Sequence, residues 1–276
     1  MEAYQLSKEE LRRVQQIQLE MLCEVDRICR KRRIRYNIIA GTLLGAVRHG
    51  GFIPWDDDAD VALLRPEYER FRKACETDLD KTRFLFQDSS TTRGYRWGYG
   101  KLRRKGTLFL RQGQETMRYH QGIFIDIFPL DSIPAGRLSR TLYNVPCFFV
   151  RKLMWSSVGA GTEPVPWKRG LYRLAGRCPE ESIKRLYGIL VRHSRRAYKK
   201  SPWVRILTYP TPTKDYGYRR AWYQRSRLYR FEGKAFPGIY DYETYLCFKF
   251  GDYRTLPKEK DRKTHPVTAL KLVDVK

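Results

Sequence analysis

No apolar run in this chain of 276 residues reaches the roughly 18 residues needed to span a membrane as a helix. The nearest stretch, LYNVPCFFV (142–150), holds a proline and runs straight into Arg151 and Lys152. The opening MEAYQLSKEELRR is too polar for a signal peptide. A cytoplasmic protein without a membrane span is therefore expected. The six cysteines form no C-x-x-C pair, so metal-site spacing is missing, and a disulfide framework is not expected in a chain of this size. They are expected to be buried free thiols. Internal repeats and low-complexity segments are absent as well. Acid is the scarce charge, with 30 Asp and Glu against 55 Lys and Arg and a formal net charge of +25. Between Lys184 and Arg230 the single acid is Asp215. Such a surface favours anionic lipid headgroups, a polyphosphorylated donor or nucleic acid.

Against that background, Asp56, Asp57, Asp58 and Asp60 crowd five positions. So many carboxylates together are destabilising unless a cation compensates, and an oxygen-rich cluster suits Mg²⁺ or Mn²⁺. They end the segment YNIIAGTLLGAVRHGGFIPWDDDADVALL (36–64), which reads as strand, Gly-Thr turn, short helix, Gly-Gly turn, acidic cluster and strand. On a strand over 58–64, Asp58 and Asp60 face one way. Asp56 joins them if the strand extends back, and Asp57 faces away as a bystander. A solvated acidic turn is the bland alternative. Gly41 and Thr42 lie before a short helix (43–49), where backbone N–H groups can hold phosphate. Asp126 sits within the apolar GIFIDIFPLD (122–131), where an unpaired carboxylate is costly to bury. A buried pair with an arginine would explain it; a third carboxylate for the Asp58/Asp60 metal explains it better.

Elsewhere, Ser7 and Glu10 form a capping-box signature, and Leu11, Val14, Ile17, Met21, Val25 and Ile28 recur at helical spacing, predicting a helix over 8–32. Pro66 opens another helix. Strands are expected at 83–87, 95–103 and 123–128, with Pro129 ending the last. Beyond about 136 the chain reads as basic and mostly helical, interrupted by prolines, so a soft boundary falls near 135. The class is α/β (α+β): a mixed sheet with flanking helices in 1–135, and a basic helical region, 136–276, that completes the site within one domain or two.

GTLLGAVRHGGFIPWDDDAD (41–60) and FIDIFPLD (124–131) resemble the LicD family of phosphocholine transferases, within the nucleotidyltransferase-fold superfamily. Fukutin-related phosphotransferases share a similar motif. FGDYRTLPKEKDRKTHP (250–266) looks like the family's C-terminal signature, whereas about 136–235 matches no motif. The departure is small Ala59, where a larger apolar residue is expected. The resemblance implies a nucleotidyltransferase-like core and transfer of phosphocholine from CDP-choline, or another CDP-alcohol, onto a sugar hydroxyl. The acceptor would be a surface glycan such as lipopolysaccharide or teichoic acid, or its lipid-linked precursor. It implies that Asp58, Asp60 and Asp126 hold one or two Mg²⁺ (or Mn²⁺), with Asp126 a candidate proton acceptor. Gly41 and Thr42 would hold donor phosphates, joined by Arg48 and Lys101. Asp56, His49 and His265 are accessory candidates. Trp55 is expected to pack, and so are Tyr95, Trp97 and Tyr99, although aromatic faces also suit a quaternary ammonium.

The runner-up reactions transfer glycerol phosphate or ribitol phosphate, and the least favoured is RNA-directed nucleotidyl transfer. Nucleic acid is disfavoured because no binding module accompanies the charge. The retained aspartates argue against an inactive relative. The basic stretch 184–230 is expected to rest peripherally on an anionic cytoplasmic membrane, at about 1 kcal/mol per basic residue. The oligomeric state is not legible.

Overall fold

The capping box at Ser7 is present in the computed structural model of the chain, which describes residues 3–211, 215–262 and 264–274. Lys214 of the basic stretch and Lys263 of the C-terminal segment lie outside the described residues. The Ser7 hydroxyl accepts from the Glu10 N–H at 3.1 Å, and the Glu10 carboxylate accepts from the Ser7 N–H at 2.8 Å. These bonds open helix α1 (Lys8–Arg32). Its stripe of Val14, Ile17, Met21, Val25 and Ile28 is buried in the main core.

The next elements are β1 (Asn37–Ile38), α2 (Ala40–Arg48), β2 (Asp60–Leu64), α3 (Arg65–Asp78), β3 (Phe84–Gln87), β4 (Gly100–Arg104), β5 (Leu108–Arg111) and β6 (Phe124–Ser132). Three helices follow: α4 (Arg137–Thr162), α5 (Pro166–Gly176) and α6 (Glu180–Ala197). The chain then returns to strands in β7 (Trp203–Arg205), β8 (Tyr218–Arg219), β9 (Ser226–Phe231) and β10 (Lys234–Ile239). Helix α7 (Tyr242–Phe250) and β11 (Val267–Lys271) complete it. This is the mixed α/β class expected.

The main sheet runs β3-β4-β6-β2-β1-β10-β9, with β7 on β6 and β8 on β7; β5 and β11 pair separately. The pairs β2–β6 and β1–β10 are parallel. Strands from both sides of residue 135 thus share one sheet. Helices α4 and α6 enclose a smaller core with Tyr143, Cys147, Met154, Ile183 and Leu190. Between β9 and β10, Glu232 and Gly233 both take positive φ (50° and 75°), the backbone that a tight two-residue hairpin requires. Arg12 donates two hydrogen bonds to the Glu232 carboxylate, which also accepts from the Phe52 N–H, tying the hairpin to α1.

Several local expectations change. Residues 95–99 precede β4 instead of belonging to it. Pro129 does not end β6, which runs on to Ser132. The antiparallel neighbour β4 pairs only as far as Ile127, and β7 begins at Asp131. Pro129 falls in the gap between them, where no N–H is required. Pro146 lies inside α4 without interrupting it. Cys29, Cys75 and Cys147 are buried, but Cys247 is exposed on α7.

Candidate active site

Three adjacent strands bring the central charges into one row. Asp126 on β6 registers with Asp60 on parallel β2 and with Lys101 on antiparallel β4. Neighbouring strands lie about 4.8 Å apart, so the three side chains stand side by side on one face. The Lys101 ammonium donates to Asp126 Oδ1 at 2.5 Å, with both side chains nearly inaccessible. The less favoured expectation for Asp126, a buried ion pair, is therefore present, with lysine as the partner in place of arginine. Lys101, expected to meet donor phosphate, is engaged by Asp126 instead. Burial lowers the Lys101 pKa against the pull of Asp126, leaving it at about 7.

Asp56 and Asp58 reach the row from the loop before β2. The pKa values of Asp56 and Asp60 stand well above the usual carboxylate range, first because of burial and then because of neighbouring acids, Asp58 above all. Asp58 is raised by burial too, although Arg111 pulls the other way. Asp56, Asp58 and Asp60 are each half-buried. Among the described residues, neither Asp56 nor Asp60 has a basic group at ion-pair distance; the pairs in the cluster go to Asp57, Asp58 and Asp126.

Asp57 is no bystander facing away: β2 begins only at Asp60, so strand parity does not reach this loop, and Asp57 shares Arg111 with Asp58. It is buried, accepts a 2.7 Å hydrogen bond from the His265 ring and lies 3.7 Å from Arg111. Burial alone would raise its pKa; His265 and Arg111 outweigh that and hold it low. Asp57, Asp58 and His265 present ligand atoms within 4.8 Å of one another. Because Asp57 is already compensated, this trio reads as a clamp on the acidic loop.

Helix α2 supplies the second wall. Ala40, with φ +50°, makes the turn from β1 into the helix, and its N–H donates to the Tyr245 hydroxyl. Gly41 and Thr42 consequently lie in the first helical turn, not in a preceding turn. The Thr42 hydroxyl accepts from the Asp60 N–H at 2.7 Å, pinning the start of β2 to the helix. A Cβ on Gly41 would sit 2.5 Å from Asp56 Oδ2, so only glycine lets that carboxylate approach the helix start.

Arg48 and His49 are not brought to the cluster. Arg48 donates to the Tyr253 carbonyl at 2.8 Å, and His49 meets Trp55 edge-on. Arg262 covers Trp55, which packs as expected. Two basic groups went unnoticed in the sequence, Arg111 on β5 and Lys249 on α7. The Lys249 ammonium is lowered by burial and supported by Asp60 and Asp58. No local pattern marks either residue, since each reaches the cluster through a different long-range pairing.

Next to the acidic row lies an aromatic recess of about 330 Å³ lined by Trp97, Tyr99, Trp155 and Tyr209, with Arg151 and Lys152 also on its wall. Trp97 stacks on Tyr99 and meets Trp155 at 5.7 Å, and Tyr209 meets Tyr99 at 5.9 Å. Burial, and then the negative field of Asp60 and Asp126, pushes the Tyr209 hydroxyl well up, showing how near the recess is to the carboxylates.

Residues 33–144 match the family described as LicD/FKTN/FKRP, nucleotidyltransferase domain. The chain is 28% identical over 273 residues to the lipopolysaccharide cholinephosphotransferase LicD of Haemophilus influenzae, covering 95% of this chain and 98% of that one. Shorter similarities link it to uncharacterized proteins of Rickettsia typhi (39% over 54 residues, 20% of this chain and 18% of that one) and Rickettsia prowazekii (42% over 48 residues, 17% and 18%). The acidic row and the Gly41 cradle thus lie within residues 33–144, the segment that matches the LicD/FKTN/FKRP nucleotidyltransferase domain.

Proposed function

We propose that the protein is a metal-dependent phosphotransferase that moves phosphocholine from CDP-choline to a sugar hydroxyl of lipopolysaccharide or its lipid-linked precursor. The observation that carries this reading is the undercompensated set Asp56, Asp58, Asp60 and Asp126 beside an aromatic recess. The carboxylates fit a divalent cation: they supply hard oxygen ligands, repel one another, and leave Asp56 and Asp60 without an ion-pair partner among the described residues. Asp58, Asp60 and Asp126 would hold Mg²⁺ or Mn²⁺, with Asp56 as accessory. When bound, the ion would neutralise charge on the donor pyrophosphate and align an in-line displacement.

The chain's own groups do the rest. The first turn of α2 offers N–H donors to a phosphate oxygen. Lys101 holds Asp126 in place, and a carboxylate of the cluster takes the proton of the attacking hydroxyl. The hydroxyl oxygen bonds to the phosphorus that carries choline, the bond to the bridging oxygen breaks, and CMP leaves. Trp97, Tyr99, Trp155 and Tyr209 offer faces to the trimethylammonium group, an attraction worth about 0.5–2 kcal/mol.

Arg151 and Lys152 favour a second reading. Cations on the recess wall suit a neutral alcohol better than a charged one, which keeps glycerol phosphate and ribitol phosphate in play. CMP release from CDP-choline, CDP-glycerol and CDP-ribitol, each with Mg²⁺ and with EDTA, separates them. The expected result is Mg²⁺-dependent turnover of CDP-choline; preference for either uncharged alcohol would reassign the donor.

The recess makes its own prediction. Trp155→Ala is expected to raise KM for CDP-choline by about tenfold with little change in kcat, the signature of lost uniform binding. The same variant should hardly alter KM for CDP-glycerol. Equal effects on both donors would remove choline from this pocket.

A further inference from the structure

Helix α5 buries none of its residues, yet it is strongly amphipathic. Trp167, Leu171 and Leu174 follow one another at helical spacing and are 65%, 57% and 62% exposed. On α4, which packs against α5, Leu138, Leu142, Val145 and Phe149 form a second stripe, with Leu138 at 74% and Phe149 at 61% exposure. A helix in a globular protein turns its apolar stripe inward. Here two neighbouring helices turn theirs out. Scattered apolar residues on a surface need no explanation, but a contiguous apolar face with a polar rim marks an interaction site.

The rim says what the face meets. From Arg137 to Arg177 the chain holds eight Lys and Arg and a single acid, Glu163. Lys168 and Arg173 alternate with the apolar residues of α5, and Arg151 and Lys152 follow the apolar stripe of α4. Aromatic and aliphatic residues on one side with Lys and Arg at the edges is the composition of a helix lying in the headgroup region of an anionic bilayer. No helix among the described residues is long and apolar enough to cross a membrane, so the contact is interfacial.

We infer that α4 and α5 form a docking face that seats this protein on an anionic phospholipid bilayer, with the apolar stripes among the headgroups and the basic rim on lipid phosphates. This moves the contact from the stretch 184–230, to which charge alone pointed, to 137–177, where charge and exposed apolar surface coincide. Trp155, which lines the aromatic recess, lies farther along the same helix and outside that stripe. The inference itself stands apart from the donor assignment.

Sedimentation of the full chain with phosphatidylcholine vesicles, with or without about one-third phosphatidylglycerol, tests it. Binding to the anionic vesicles is expected to be at least about tenfold tighter and to weaken with salt. Phe149→Glu with Leu171→Glu should reduce it by about tenfold or more while the melting temperature stays unchanged. Lys168→Glu with Arg173→Glu should erase the preference for anionic lipid. Absence of binding to anionic vesicles, or undiminished binding by the Phe149/Leu171 variant, would overturn the inference. So would a dimer in light scattering that the Phe149/Leu171 variant converts to monomer without losing vesicle binding, since the face would then belong to a second copy.

Discussion

Asp60→Asn and Asp58→Asn are each expected to abolish Mg²⁺-dependent CMP release while the protein remains folded. The expected loss is roughly a thousandfold in kcat, equivalent to about 4 kcal/mol of transition-state stabilisation. The stability readout has the opposite sign from most core substitutions. Asp58 and Asp60 repel each other and are desolvated, so removing one charge relieves repulsion. Without metal, each variant should melt no lower than the parent. With Mg²⁺ at about a hundred times its dissociation constant, the parent should gain about 2.7 kcal/mol, and the variants much less. Thermal melting with and without Mg²⁺, run beside the CMP assay, gives both answers. Retention of most activity by both variants would end the metal assignment.

The second large effect lies at the other end of the parallel strands. Arg65 donates to both oxygens of Asp131, at 2.8 and 2.6 Å, with both side chains buried. It also donates to the Tyr187 hydroxyl at 2.9 Å, and that hydroxyl donates to the Gly98 carbonyl at 2.6 Å. The network joins α3, β6 and α6 to the segment that carries Tyr99 into the aromatic recess. Asp131→Ala strands a buried guanidinium and is expected to cost about 3–5 kcal/mol in urea unfolding. Replacing both partners, as Arg65→Met with Asp131→Leu, should restore most of that loss, because neither charge is left unpaired. A single substitution costing under about 1 kcal/mol would mean that water reaches the pair.

These two sites also mark what the sequence could reveal. Strand patterning and an acid in an apolar run are local signals for Asp60 and Asp126, which do pair in register. Asp58, expected on a strand over 58–64, stands instead in the loop before β2. The helix from Lys8 to Arg32 was legible from its cap and spacing. Asp57 shows the limit of such reading. Parity cast it as a bystander, but it lies in the loop before β2, where the fold brings His265 and Arg111 to it. Trp155 and Tyr209 join Trp97 and Tyr99 from α4 and from the chain after β7, and nothing in either segment announces the meeting. Pro129 was misread for the same reason: a missing N–H matters only if a neighbouring strand asks for it, and β4 and β7 leave that place open.

The clamp on Asp57 also sets an order of events during synthesis. His265 follows Asp57 by 208 positions, and Lys249 and the β9–β10 hairpin emerge nearly as late. A ribosome-bound chain that has exposed only its aspartates holds a loop of mutually repelling carboxylates without His265 to fasten it. The acidic centre is thus completed late, although its aspartates are made early. Until the final strand pairs with β5, the growing polypeptide has the parts of a catalyst but not yet its alignment.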